Sequence, residues 1–240
     1  MQSSDSHRRD LLLLKATLLL LSVSLNAVEF FIPRIPFLPW LKPGLANIVT
    51  IVWLVRFGLV DTMMMVLLRV WIVGFYFGFS LLTMVLGLSG GLTATVLMGV
   101  VWLLAGRRGL MGLFGIGVLG ALSHNLGQLG AVYLILARNF NLFYQVPFMI
   151  AASVLFGGLV GLLSAHFLSA LPATPATADA APYDEHAGWV APQQSTKLQH
   201  VVATVGLLAW SIAVMFIGDT TGLIVSAAAA TVLVQFVRKG

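Results

Sequence analysis

Apolar positions along this chain do not alternate with polar ones or form a narrow helical stripe. They come in unbroken runs: Leu11–Ile32, Leu45–Phe57, Leu59–Phe77, Leu81–Ala105, Gly112–Ala137 and Val146–Leu171, then, after a hydrophilic break, His200–Ile217 and Gly222–Val237. Most approach or exceed the roughly 20 residues a helix needs to cross about 30 Å of hydrocarbon. The second run is shorter, about 20 Å at 1.5 Å per residue, and is expected to be tilted or not fully spanning. The predicted architecture is an all-α polytopic membrane protein.

Composition agrees with the pattern. Only 9% of the 240 residues are charged and 59% are apolar, whereas a soluble domain carries about a quarter charged residues. The basic start at Arg8 and Arg9 resembles a signal-peptide n-region, but the run that follows is long for one. Leu25 also stands where a cleavage site would want a small residue, so a retained first span is expected. Residues 1–10 then form a cytoplasmic tail and 11–171 a six-span core.

Loop charges orient the chain. With the N-terminus inside, Arg8, Arg9, Lys15, Arg56, Arg107, Arg108, Lys197, Arg238 and Lys239 fall on the cytoplasmic side, against Arg34, Lys42 and Arg138 outside. The bias predicts eight spans with both termini in the cytoplasm. Omitting the short second run would move Arg107 and Arg108 outside, so the charges argue for keeping it. A net charge of +5 raises the question of nucleic acid, but basic residues at span ends, rather than on one patch, are topology signals.

Residues 172–198, rich in Pro, Ala and Thr, read as a flexible linker. Its Asp184-Glu185-His186 triplet is adjacent in sequence on a mobile stretch, which makes a poor metal site. Residues 199–240 read as an appended transmembrane hairpin turning at Gly218-Asp219-Thr220-Thr221. Before the second span, "FIPRIPFLPWLKPG" carries four prolines with aromatics between them. It reads either as an interfacial aromatic loop or as a semi-rigid lid over an outward-facing pocket.

Candidate chemistry lies in the few polar residues inside the apolar runs. In "ALSHNLGQLGAV" (121–132), His124 and Gln128 are four apart and share a helix face. Small residues flank that face, and Asn125 is turned about 100° away. The set serves either as interhelical hydrogen-bonding glue or as a face for a polar or anionic small molecule. Arg69, near the centre of its run, needs a carboxylate, carbonyl or anion as acceptor. Glu29 is the nearest partner by depth, either in a purely architectural ion pair with Arg69 or leaving Arg69 to anchor a carboxylate or phosphate. Asn47 and Thr50 are three apart at the entrance of the second span. Arg56 and Asp61 mark the turn after it. Adjacent glycines in "LSGGL" (88–92) imply a close helix crossing or a ligand against bare backbone.

Several function classes are excluded or left without support. Without cysteine there are no disulfides, thiolate metal sites or cysteine nucleophiles. There is no phosphate-binding P-loop signature, no aspartate-rich motif for magnesium diphosphate and no credible Ser/His/Asp set. No second histidine or carboxylate has metal-ligand spacing near His124. An enzyme acting alone is not expected, and no catalytic residue, metal or cofactor is predicted.

"LKPGLANIVT" (41–50), the arginine of "LLRV" (67–70), "FS" followed by "GLSGGL" (79–92) and "HNLGQL" (124–129) occur in this order. Together they resemble the Gx transporter family, also described as heptaprenyl diphosphate synthase component I, over about residues 11–171. The layout is similar to that of substrate-binding S components of energy-coupling-factor transporters. The resemblance implies a six-helix S-component-like core, with the C-terminal two-helix hairpin outside it. It further implies a cavity beneath the first external loop, and binding residues Lys42, Asn47, Arg69, His124, Asn125 and Gln128. It points to a substrate-binding component for uptake of a small polar or amphiphilic molecule, energised by a coupling membrane subunit and ATPases, in the inner membrane of a bacterium. The alternatives are a non-catalytic membrane subunit of a polyprenyl diphosphate synthase and an accessory subunit of a larger membrane complex.

Overall fold

The computed structural model describes residues 2–31, 44–76 and 80–171. The Pro-rich stretch with Lys42, and the linker and hairpin expected over 172–240, lie outside the described residues. Among the described residues all regular structure is helical. The helices are α1 (Gln2–Phe31), α2 (Ala46–Tyr76), α3 (Leu81–Leu104), α4 (Leu113–Ile135), α5 (Val146–Ala152) and α6 (Gly158–Ala170). Five helical segments are long and apolar enough to cross a membrane, the last being the continuous stretch Phe140–Ala170. The protein is a multi-pass membrane protein.

The second of these segments is not straight. Gly58, with φ 82° and ψ 177°, lies outside helical geometry in a region open to glycine and costly for side-chain-bearing residues. Arg69 Nη1 donates to the Ala46 carbonyl at 3.1 Å and to Thr50 Oγ1 at 3.0 Å. In an unbroken helix residues 46 and 69 would be about 35 Å apart, so the arms 46–57 and 59–76 must fold back on each other. Val49, Val52 and Trp53 accordingly share one core cluster with Met65 and Val66. The separate runs expected over Leu45–Phe57 and Leu59–Phe77 are thus the two arms of this helical hairpin. Gly58 also supplies the carbonyl that the buried Thr62 hydroxyl bonds at 2.6 Å.

The arms place the ends of the other helices. Met84, early in α3, lies against Gly74, while Gly99, late in α3, lies against Leu59. One end of the bundle therefore holds the Gly58 turn, the end of α3 with Arg107 and Arg108, and the start of α4. At this end Lys15 pairs with Asp61 at 3.1 Å and stands 4.9 Å over the Phe57 ring. Arg56 Nη2 donates to the carbonyls of Leu168 and Leu171 at 3.4 and 3.0 Å, satisfying acceptors that the end of α6 leaves open. Arg56 and Asp61, close in sequence, thus bond to different elements. Glu29, the start of α2 and the end of α4 lie at the opposite end.

Two core clusters carry the packing. One joins Ile51 and Leu54 of α2 to Ala94, Met98 and Trp102 of α3, with Leu113 and Ile116 of α4 and Val160 and Ala165 of α6. The other joins Leu14, Leu18 and Leu21 of α1 to both arms of α2. The α4–α6 crossing is set by glycine: a methyl group at Gly117 would meet the Gly157 carbonyl oxygen, and Gly161 N and Cα at 2.7 and 2.8 Å. Just before α6 the helix widens into a π turn, Ser153–Gly157. Hydroxyls inside the apolar segments bond back one turn: Thr17 to Leu13 O, Ser24 to Leu20 O, Thr95 to Gly91 O, Ser123 to Leu119 O and Ser153 to Met149 O. That closure makes them tolerable where no water can satisfy them.

Candidate functional site

The polar residues singled out in the sequence converge on α3 from two sides, and the adjacent glycines are the meeting point. On one side, His124 and Gln128 of α4 lie on Gly90. A methyl group there would stand 2.8 Å from Gln128 Cγ and 3.0 Å from His124 Nε2. On the other side, a methyl at Gly91 would stand 2.9 Å from Val66 Cγ1 and 4.0 Å from Arg69 Nη2. The faces of both glycines are therefore occupied by protein side chains, which favours the helix-crossing explanation of "LSGGL". Gly127 continues the close approach, since its methyl would meet Ser89 O and Thr93 Oγ1, each at 2.8 Å.

Within α4 the helical spacing acts as expected. Gln128 Nε2 lies 3.0 Å from His124 Nε2. In this orientation the amide nitrogen is the donor and the imidazole Nε2 the acceptor. The two side chains form a local pair presented to α3. Asn125, half-buried, lies beside them on the next face.

Arg69, only 3% exposed, is the most deeply placed charge among the described candidates. Its Nη1 donates to Ser22 Oγ of α1 at 3.1 Å, as well as to Thr50 Oγ1 and Ala46 O. Three chain segments are thus tied through one nitrogen. The Thr50 hydroxyl also donates to Ala46 O at 3.2 Å, closing a ring of neutral groups. Arg69 Nε is buried with no acceptor among the described residues. Glu29, also buried, acts electrostatically on Arg69, while its carboxylate accepts the backbone N–H of Leu45 at the head of α2. A carboxylate at that position suits the positive end of a helix.

Asn47 sits half-buried in the first turn of α2, its amide nitrogen 3.3 Å from where a Gly44 side chain would begin. Its backbone N–H bonds Gly44 O at 2.8 Å, so this turn starts from the left-handed Gly44, φ 74°. Lys42 lies outside the described residues. Sequence reasoning missed Ser22, whose hydroxyl helps hold Arg69. The only available signal was its place two helical turns before Glu29 on the same run. Among the described residues no group of three or more His, Asp and Glu could hold a metal ion.

An all-helical bundle with a buried arginine, a histidine–glutamine pair and a glycine-lined crossing defines a polytopic membrane protein with an intramembrane polar centre. The chain belongs to the heptaprenyl diphosphate synthase component I family, whose family model matches residues 18–167. That match takes in α2, α3, α4 and α5 entire, the second half of α1 from Leu18 and most of α6, and with them every described candidate residue. No curated protein and no solved structure matches the chain.

Proposed function

We propose that this protein is the substrate-binding component of an uptake transporter. It would take a small polar or amphiphilic molecule and be energised by a separate coupling membrane subunit and ATPases. In this reading the helices described, with α2 counted as two spans, form a six-span S-component-like core with both termini in the cytoplasm. The Glu29 end of the bundle faces outward. Arg69, His124 and Gln128 hold the ligand, with Asn47 and Asn125 at its margins.

The observation that carries the proposal is the convergence of Arg69 and the His124–Gln128 pair on the two adjacent glycines of α3. Helix glue alone calls for polar groups that satisfy one another. His124 and Gln128 do satisfy each other, but Arg69, approaching the same turn of α3 from the other side, keeps a buried donor without an acceptor among the described residues. Polar groups at such depth are costly, and an ionisable one kept there is a functional-site candidate by default.

The test is a thermal-stability screen of the purified protein against a metabolite panel. A binding metabolite should stabilise the wild type, and Gln128→Ala, still folded and inserted, should lose that stabilisation. If nothing in the panel stabilises the wild type and no ligand co-purifies, the transporter reading fails.

The family name favours a second reading, a non-catalytic membrane subunit working with a heptaprenyl diphosphate synthase. The absence from the sequence of an aspartate-rich motif for magnesium diphosphate means that a soluble partner would perform the chemistry. Adding this chain to the reconstituted synthase should then raise its activity, and no change on addition would refute the reading.

A further inference from the structure

Arg69 offers more than depth. Its Nη1 serves three acceptors, all neutral: two hydroxyls and a carbonyl. Its Nε serves none among the described residues, although buried donors are almost always paired in native proteins. The remaining nitrogen, Nη2, lies on the Gly91 side of the guanidinium, toward α3 and the turn that also carries His124 and Gln128. Three donors of the first turn of α2 beside it are already used. Leu45 N–H goes to Glu29, and Asn47 and Ile48 N–H go to Gly44 and Leu45 carbonyls. What is left over at this centre is therefore donor capacity on a cation.

We infer that the ligand of this site is an anion, which presents carboxylate or phosphate oxygens to Arg69 in competition with Glu29. The inference rests on the substrate-binding reading above and adds the ligand's charge. A guanidinium is suited to planar, paired acceptance by such oxygens. Nε and Nη2 share one edge of the guanidinium, and on that edge Nε has no acceptor among the described residues. Glu29 accepts the N–H of Leu45, next to the Ala46 carbonyl that Arg69 bonds, so its buried carboxylate lies close to the same guanidinium and offsets its charge without giving Nε an acceptor. An arriving anion takes over part of that role, and Glu29 then opposes it by like-charge repulsion.

This arrangement has a signature that a purely architectural Arg69–Glu29 pair lacks. In an architectural pair, both Glu29→Gln and Arg69→Lys weaken the same structure. In an anion site they act with opposite sign. Glu29→Gln keeps an oxygen for Leu45 N–H, removes the competing charge and tightens anion binding. Arg69→Lys keeps the positive charge, loses the paired donors and weakens it.

The experiment uses the full chain in nanodiscs of neutral phosphatidylcholine. Binding of acetate, inorganic phosphate, inorganic pyrophosphate and phosphatidic acid is measured by native mass spectrometry and thermal shift, with diacylglycerol as neutral control. The expected result is binding of an anion but not of diacylglycerol. Arg69→Lys should weaken it by about tenfold or more, the scale of one charge-assisted hydrogen bond, and Glu29→Gln should strengthen it. A response to acetate, phosphate or pyrophosphate assigns a soluble ligand. A response confined to phosphatidic acid upholds the anion site with a lipid as its source, and counts against uptake of a soluble molecule. If Arg69→Lys does not fold, the sign of the Glu29→Gln effect decides. The inference is overturned if no anion binds, or if Glu29→Gln weakens binding. A neutral metabolite that stabilises the wild type in a Gln128-dependent way, with no anion doing so, would overturn it while leaving the substrate-binding reading intact.

Discussion

Replacing Gly117 with alanine tests whether the α4–α6 crossing is set by glycine, and the size of the effect can be worked from the contacts. The new methyl would face the Gly157 carbonyl oxygen, and would stand 2.7 Å from Gly161 N and 2.8 Å from its Cα. These are backbone atoms, so no rotamer change relieves the clash. Restoring a contact near 3.5 Å requires the helices to part by roughly 0.8 Å, and a gap of that size forfeits about a quarter to a half of each dispersion contact along the crossing. Overpacking of this kind costs about 1–3 kcal/mol, against a helix-propensity gain of roughly 0.5–1 kcal/mol for Gly→Ala. Because the closest contact is to the Gly157 carbonyl oxygen, the cost falls toward the upper end of that range and the net loss is about 2 kcal/mol. Gly130 of the same helix is the internal control, since a methyl there would meet nothing within 4 Å, and only the propensity gain of about 0.5–1 kcal/mol remains. Thermal unfolding in one detergent, followed by size-exclusion fluorescence, should place Gly117→Ala several degrees below wild type and Gly130→Ala at or slightly above it. Equal midpoints for Gly117→Ala and wild type, or equal losses for both variants, would refute the packing account.

Other consequences follow from particular residues. Gly58→Ala should destabilise by about 1–3 kcal/mol, because φ 82° and ψ 177° strain a side-chain-bearing residue although a methyl would find open space; wild-type stability would mean that the turn relaxes freely. Gly90→Ala displaces side chains rather than backbone, so it should cost less stability than Gly117→Ala while disturbing the His124–Gln128 pair. The readout is ligand stabilisation, and a variant binding normally would separate that pair from the site. Asp61→Asn removes an ion pair whose partners are both partly exposed, so it should change stability by less than about 1 kcal/mol. The cysteine-free sequence allows single-cysteine labelling, and the α2 hairpin predicts that Asp61→Cys and Arg107→Cys label from one side of the membrane and Asn139→Cys from the other. Labelling of Asp61 and Arg107 from opposite sides would contradict the hairpin.

Much of the bundle was legible because membrane helices announce themselves by run length. The hairpin in α2 was legible for a subtler reason: loop charges forbade dropping a run only thirteen residues long, and Gly58 stood between Arg56 and Asp61 to make the turn. The His124–Gln128 pair was likewise visible, since spacing of four on one helix needs no tertiary knowledge. Long-range partners were not. Nothing local says that Gly90 faces His124 while Gly91 faces Val66, or that Asp61 reaches back 46 residues to Lys15. The carbonyls that Arg56 binds lie 112 and 115 residues away. The π turn over 153–157 escaped notice because a widened helix carries the same apolar composition as a regular one. Ser22 looked like an ordinary hydroxyl in an apolar run until Arg69 was seen to use it.

The measurement closest to the central claim is the identity of the partners. The tagged protein would be recovered from its native membranes in a gentle detergent, and what accompanies it identified by mass spectrometry. The account predicts a coupling membrane subunit together with paired ATPases. Recovery of a prenyl diphosphate synthase without ATPases would contradict it, and would make the centre around Arg69, His124 and Gln128 a device for holding helices together.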